Sequence, residues 1–141
     1  MAAILLVDDD DSLRFLVGEL LQLVGHDCTQ AGSVSQARAW LRVKRFEMII
    51  SDFNMPRESG LDLLRHVLSE YPGMLFIMVT GESSPEIRRK ALNMGIYDYI
   101  VKPFRLSGLL MSVSKALSEN CQRDPMSIIR TPCTFTSAAA H

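Results

Sequence analysis

Four short apolar runs in this chain each end on a residue that carries chemistry. Ile4-Leu5-Leu6-Val7 runs into Asp8 and Asp9, and Phe46-Glu47-Met48-Ile49-Ile50-Ser51 runs into Asp52. Leu75-Phe76-Ile77-Met78-Val79 reaches Thr80, and Tyr99-Ile100-Val101 reaches Lys102. Between them lie segments with apolar residues at helical spacing, the pattern of βαβ units around a parallel sheet. In an open sheet of this kind the carboxyl ends of the strands form one edge, and ligands bind in the crevice there. Segments far apart in sequence thus deliver three carboxylates, a hydroxyl and an ammonium to one place.

The helical segments follow in order. Leu13, Leu16, Val17, Leu20, Leu21 and Val24 predict an inward helix face, with Asp10 or Asp11 as cap and Gly25 as stop. A weak strand over 27–31 comes next, then a helix opened by Ser33 with Ala37, Trp40 and Leu41 inward. The strand over 46–51 is the most continuously apolar and is expected at the centre of the sheet. Leu61, Leu64, Val67 and Leu68 mark a third helix, ended by Tyr71-Pro72-Gly73. A strand over 74–79, a helix over 85–94 stopped by Gly95 and a strand over 98–101 follow. A fifth helix begins near Arg105, with Leu109, Leu110, Val113 and Leu117 inward. Residues 1–118 are read as one domain and 119–141, rich in Ser, Thr, Pro and Ala, as a flexible tail.

Bulk composition excludes several classes. Hydrophobic residues at 48% and charged residues at 22% fit a globular chain rather than a disordered one. A net charge of -1 provides no global attraction to nucleic acid or anionic lipid. No apolar run approaches the roughly 18 residues needed to span a bilayer, and the N-terminus lacks a signal-peptide pattern. Cys28, Cys121 and Cys133 are odd in number and lack metal-ligand or CxxC spacing, so a reduced, cytoplasmic compartment is expected. Cys28 reads as a small core residue, and the methionines (Met48, Met55, Met74, Met78, Met94, Met111) as core or near-core filler. His26 and His66 read as a helix-flanking residue and a solvated face, and Arg88-Arg89-Lys90 as a charged or partner-docking face.

The carboxylates carry a physical demand of their own. Two like charges about 4 Å apart repel by about 4 kcal/mol at an effective dielectric of about 20, so three clustered carboxylates call for a cation. The bland alternatives are that Asp52 caps its following turn and that Asp8 to Asp11 favour a helix N-terminus.

Taken together, Ile4-Leu5-Leu6-Val7-Asp8-Asp9, Ser51-Asp52-Phe53-Asn54-Met55-Pro56 with Gly60, Val79-Thr80-Gly81 and Tyr99-Ile100-Val101-Lys102-Pro103-Phe104 resemble the receiver domain of two-component response regulators. The resemblance covers residues 3–118. It implies a flavodoxin-like (βα)5 doubly wound parallel sheet with strand order 2-1-3-4-5, the order known for this fold class. It also implies a phosphorylation-activated switch. Asp52 would accept a phosphoryl group from a histidine kinase or phosphotransfer protein. Mg²⁺ or Mn²⁺ would be held by Asp9, Asp52 and the Asn54 backbone carbonyl, with Asp8 acting through water.

By the same resemblance Lys102 would contact the phosphoryl oxygens, aimed by a cis bond to Pro103. The Thr80 hydroxyl would bind the new phosphoryl group, and Tyr99 would turn from solvent into the space the threonine vacates. Asn54 and Glu82 would tune the lifetime of the phosphoryl group. Their plainer readings are a β-branched strand residue for Thr80 and an amphipathic surface ring for Tyr99. The chain would be a signalling phosphoacceptor and not an enzyme acting on an external substrate. Its output would lie in a downstream protein or in a further output domain, with a phosphorylation-dependent homodimer allowed and no direct contact to nucleic acid or membrane.

Two other classes compete. An aspartyl-phosphate phosphatase or phosphotransferase would want an acid two residues after the nucleophile, where Asn54 stands. A receiver-like interaction module without phosphorylation would lack a site residue, yet Asp8, Asp9, Asp52, Thr80 and Lys102 are all present.

Overall fold

The computed structural model describes residues 2–55, 57–81 and 84–123. Its elements alternate strictly: β1 (Ala3–Val7), α1 (Asp11–Leu23), β2 (Asp27–Ala31), α2 (Val34–Val43), β3 (Met48–Asp52), α3 (Gly60–Glu70), β4 (Leu75–Thr80), α4 (Pro85–Met94), β5 (Asp98–Val101) and α5 (Leu106–Arg123). The strands form one parallel sheet in the order β2-β1-β3-β4-β5. This is the flavodoxin-like arrangement expected from the sequence. Every residue of β3 and β4 is buried, as suits near-continuous apolar strands covered on both faces.

Residues 1–106 form one compact unit, and α5 from Ser107 belongs to a second. Within the first, one face of the sheet contributes Leu5, Val7, Ile49, Phe76 and Met78 to a core closed by α2, α3 and α4 through Ala37, Leu64, Val67 and Ala91. The alternate residues Ile4, Leu6, Met48, Ile50 and Ile77 point the other way and are buried as well. Along α5, Leu109, Val113 and Ala116 are buried at helical spacing. The helix runs to Arg123, five residues past the expected boundary at Ser118, because Glu119 to Arg123 contain no breaker before Pro125. Residues 124–141, the rest of the expected tail, lie outside the described residues.

The helix ends obey local chemistry. Asp10 caps α1 by accepting from the Leu13 amide at 3.1 Å, while Asp11 pairs with Arg14 instead. Ser33 caps α2, and Ser59 and Asp62 form a reciprocal capping box at α3. Gly95 ends α4 at φ 111, a left-handed conformation that glycine adopts without penalty.

Three expected core faces need correction. Only Val17, Gly18 and Leu21 of α1 are buried, while Leu16 and Val24 are each 50% exposed. The helix approaches the sheet at Gly18, where a side chain would collide with Gln30, so the buried stripe is narrow and centred there. Trp40 is 40% exposed because the α2 seam is Val34, Ala37 and Leu41, and Trp40 lies about 100° around the helix from Leu41. Leu68 is exposed on α3, where Leu63 faces inward instead. Met111 is 71% exposed and fills no core.

Candidate functional site

Register places the chemistry. Val7 pairs with Ser51, Asp52 with Val79, and Thr80 with Val101, so the carboxyl ends of four strands finish within a residue of one level. Backbone bonds pin the residues just beyond: the Asp8 amide donates to the Ala31 carbonyl at 3.1 Å, and the Lys102 amide to the Thr80 carbonyl at 2.8 Å. The Lys102–Pro103 peptide is cis, in keeping with the resemblance.

Lys102 Nζ lies 3.1 Å from Asp8 Oδ2 and 3.2 Å from Asp52 Oδ2. Asp8 Oδ1 accepts from the Asp10 amide at 2.9 Å, and Asp52 Oδ1 from the Asn54 amide at 3.2 Å. Asp8 and Asp52 are only 5% and 6% exposed, whereas Asp9 is open to solvent. Burial pushes the Asp52 carboxyl above its ordinary value; Lys102 opposes that shift and Asp8 adds to it. Burial works against the Lys102 charge, yet its hydrogen bond to Asp8 and the charges of Asp52 and Asp8 raise its affinity for the proton overall.

Asp8, Asp9 and Asp52 each offer a carboxylate oxygen, and these oxygens lie within 4.8 Å of one another. Among the described residues, one ammonium, that of Lys102, meets this group of three carboxylates, through Asp8 and Asp52. An all-oxygen set of this kind fits a hard divalent cation that keeps part of its water shell.

Thr80 is fully buried as the last residue of β4. Tyr99 is 5% exposed, packed in the core with the Arg88 guanidinium 5.9 Å from its ring centre. The ring is therefore on the inside, not at the solvent-facing end of the expected swing. Asn54 is exposed beside Asp52. Glu82, expected to tune lifetime, and Pro56 of the loop motif lie outside the described residues.

Two supporting contacts have no signature in the sequence. A Cβ on Gly60 would collide with the Asp52 carbonyl oxygen, so glycine at the start of α3 lets that helix press against the end of β3. Gly60 belongs to the loop motif, but its spacing does not disclose this contact. Arg14 donates from Nη1 to the Asp8 carbonyl at 2.6 Å, a link that helical spacing alone does not reveal.

Comparison with known proteins agrees with the geometry. The response regulator receiver domain family matches residues 4–114. The DNA-binding transcriptional regulator NtrC of Azospirillum brasilense is 32% identical over 119 residues, which are 84% of this chain and 25% of that protein. The C4-dicarboxylate transport transcriptional regulatory protein DctD of Rhizobium meliloti is 34% identical over 114 residues, 81% of this chain and 25% of that protein. The chain thus spans about a quarter of the length of these curated relatives. Among solved structures, a CheY-like receiver domain protein from Methanospirillum hungatei superposes with a TM-score of 0.84 at 30% identity, covering 88% of this chain and 99% of that one. The chemotaxis response regulator CheY4 of Vibrio cholerae superposes with a TM-score of 0.75 at 35% identity, covering 82% and 98%. Among the described residues, no helix is long and apolar enough to cross a membrane. With its sheet order, its acidic strand-end cluster and these matches, the chain belongs to the response regulator receiver domain family, the phosphorylation-activated signalling modules.

Proposed function

We propose that Asp52 is the phosphoacceptor of this receiver and that Asp8, Asp9 and Lys102 complete its reaction site. The observation that carries this reading is the shared ammonium: Lys102 bridges Asp8 and Asp52 at a strand edge where Asp9 also converges. A carboxylate oxygen of Asp52 would attack the phosphorus of a phosphohistidine donor in line. The bond to the donor nitrogen breaks, and its electron pair leaves with the imidazole.

Mg²⁺ or Mn²⁺ bound at this edge would neutralise the carboxylates and the transferred oxygens. Asp9 and Asp52 would hold it directly, together with the Asn54 carbonyl. Asp8, which accepts from the Asp10 amide and Lys102, would act through water, as the resemblance implies. Lys102 would then move its contact from the Asp52 carboxylate to the phosphoryl oxygens, a fixed charge that needs no reorganised solvent.

Thr80 would bind the phosphoryl group through its hydroxyl, and the packing of Tyr99 against α4 would report the change to the surface of α4 and β5. Asn54 and Glu82 would set the lifetime of the phosphoryl group. The donor would be a histidine kinase or phosphotransfer protein. Output would lie in a partner protein or in a further domain, since the relatives named as transcriptional regulators are about four times as long as the matched segment.

NMR titration with beryllofluoride and Mg²⁺ tests the assignment. Amide shifts at Asp52, Thr80 and Lys102 that vanish in Asp52→Asn support it. Shifts that persist in Asp52→Asn contradict it.

A further inference from the structure

Arg14 lies on α1, outside the acidic cluster, yet its guanidinium is spent on holding that cluster's backbone. Nη1 donates to the Asp8 carbonyl at 2.6 Å, Nε to Gln30 Oε1 at 3.2 Å, and Nη2 pairs with Asp11 Oδ1 at 2.8 Å. The side chain is only 17% exposed, so the three contacts fix it in place. Two glycines leave room for the arrangement. A Cβ on Gly18 would lie 2.5 Å from Gln30 Nε2, and one on Gly32 would lie 3.3 Å from Arg14 Nη1.

The Asp8 carbonyl belongs to the same peptide plane as the Asp9 amide. Its partner at 2.6 Å therefore helps hold the peptide plane from which the Asp9 side chain leaves the end of β1. Asp9 is the exposed member of the cluster, whereas the Asp8 carboxylate has its own ties to the Asp10 amide and Lys102. Arg14 is thus the link by which α1 and β2 hold the peptide that presents Asp9.

We infer that Arg14 is a positioning residue for divalent-cation binding, acting through the Asp8–Asp9 peptide. The inference rests on the reading of the strand-end cluster as a cation site. Charge cannot be the cause of any gain, because a guanidinium near the cluster repels a cation. A planar fork that satisfies three acceptors at once is what the geometry uses, and a lysine ammonium cannot reproduce it.

The test is calorimetric titration of Mg²⁺ into the full chain, beside the Mg²⁺ dependence of self-phosphorylation by a small phosphodonor. Arg14→Lys and Arg14→Gln are each expected to weaken Mg²⁺ binding by about tenfold, the lower end for residues that orient metal ligands. The half-saturating Mg²⁺ concentration for phosphorylation should rise with it, while the rate at saturating Mg²⁺ stays near that of the wild type. A purely structural role would not produce that split. Unchanged affinity in Arg14→Lys, or tighter binding in Arg14→Gln, overturns the inference.

Should both variants fail to fold, Gln30→Met frees Nε without touching charge. It is expected to weaken Mg²⁺ in the same direction, and unchanged affinity there overturns the inference equally. A wild-type chain that takes up no Mg²⁺ overturns the cation-site reading itself, and this inference with it.

Discussion

The Lys102 ammonium lies 3.2 Å from the Asp52 carboxylate, joining two strand ends that are 50 residues apart. With Asp8 as its second partner at 3.1 Å, it is the one cation in direct contact with both buried carboxylates among the described residues. Removing it as Lys102→Met should destabilise the metal-free chain by about 1–3 kcal/mol, less than for a fully buried pair because the lysine keeps some exposure. Mg²⁺ should then raise the melting temperature of Lys102→Met by more than it raises that of the wild type, since the competing ammonium is gone. An equal or smaller rise would show that Lys102 and the cation do not share a site.

The pH dependence follows from the buried nucleophile. Burial raises the Asp52 carboxyl above 3.8, so the folded chain holds this proton more tightly than the unfolded chain does. Folding stability contributed by this group is therefore greatest when it is protonated, and falls as pH rises from 3.8 toward the folded-state value. Asp52→Asn removes that loss. Urea titrations without Mg²⁺ should show the variant gaining on the wild type as pH rises above about 4, the ordinary carboxylate range. A stability difference that does not change with pH contradicts the shift.

Two glycines should respond in opposite directions. In Gly60→Ala the new methyl meets the Asp52 carbonyl and, at 3.0 Å, the Phe53 Cα, backbone atoms that no rotamer change can clear. A cost of about 1–3 kcal/mol and slower phosphorylation are expected. Gly108, inside α5 with open space at its Cβ position, should gain about 0.5–1 kcal/mol as alanine. Denaturant midpoints of the two variants shifting the same way would refute the contrast.

Cys28 should be chemically silent in the folded state. Burial pushes its thiol up to about 11, with the Asp27 charge adding to the effect, so little thiolate exists near neutral pH. Mass mapping after brief iodoacetamide treatment should find Cys28 unmodified in native protein and modified in urea. Rapid native labelling at that residue would mean that β2 opens readily.

What is legible in the sequence depends on the length of the signal. The strand ends can be read because apolar runs terminate abruptly on Asp8, Asp52, Thr80 and Lys102, and register then does the rest. Helix faces are read less well. Leu16, Trp40 and Leu68 have the right spacing, yet the true seam depends on where Gly18 or Ala37 permits close approach, which is a tertiary fact. The capping choice between Asp10 and Asp11 is likewise decided by Arg14, which draws Asp11 away. Arg14 itself has no periodic signature, because its role depends on meeting β1 and β2 at once. The inward placement of Tyr99 cannot be read from a strand pattern that allows either end of a ring's swing.

Asp52 is proposed to accept the phosphoryl group with help from a divalent cation. Intact-mass measurement after incubation with a small phosphodonor and Mg²⁺ tests it most directly. The wild type should gain one phosphoryl group, and the gain should be absent in Asp52→Asn and in the presence of chelator. No gain with any donor, or an equal gain in Asp52→Asn, would contradict it.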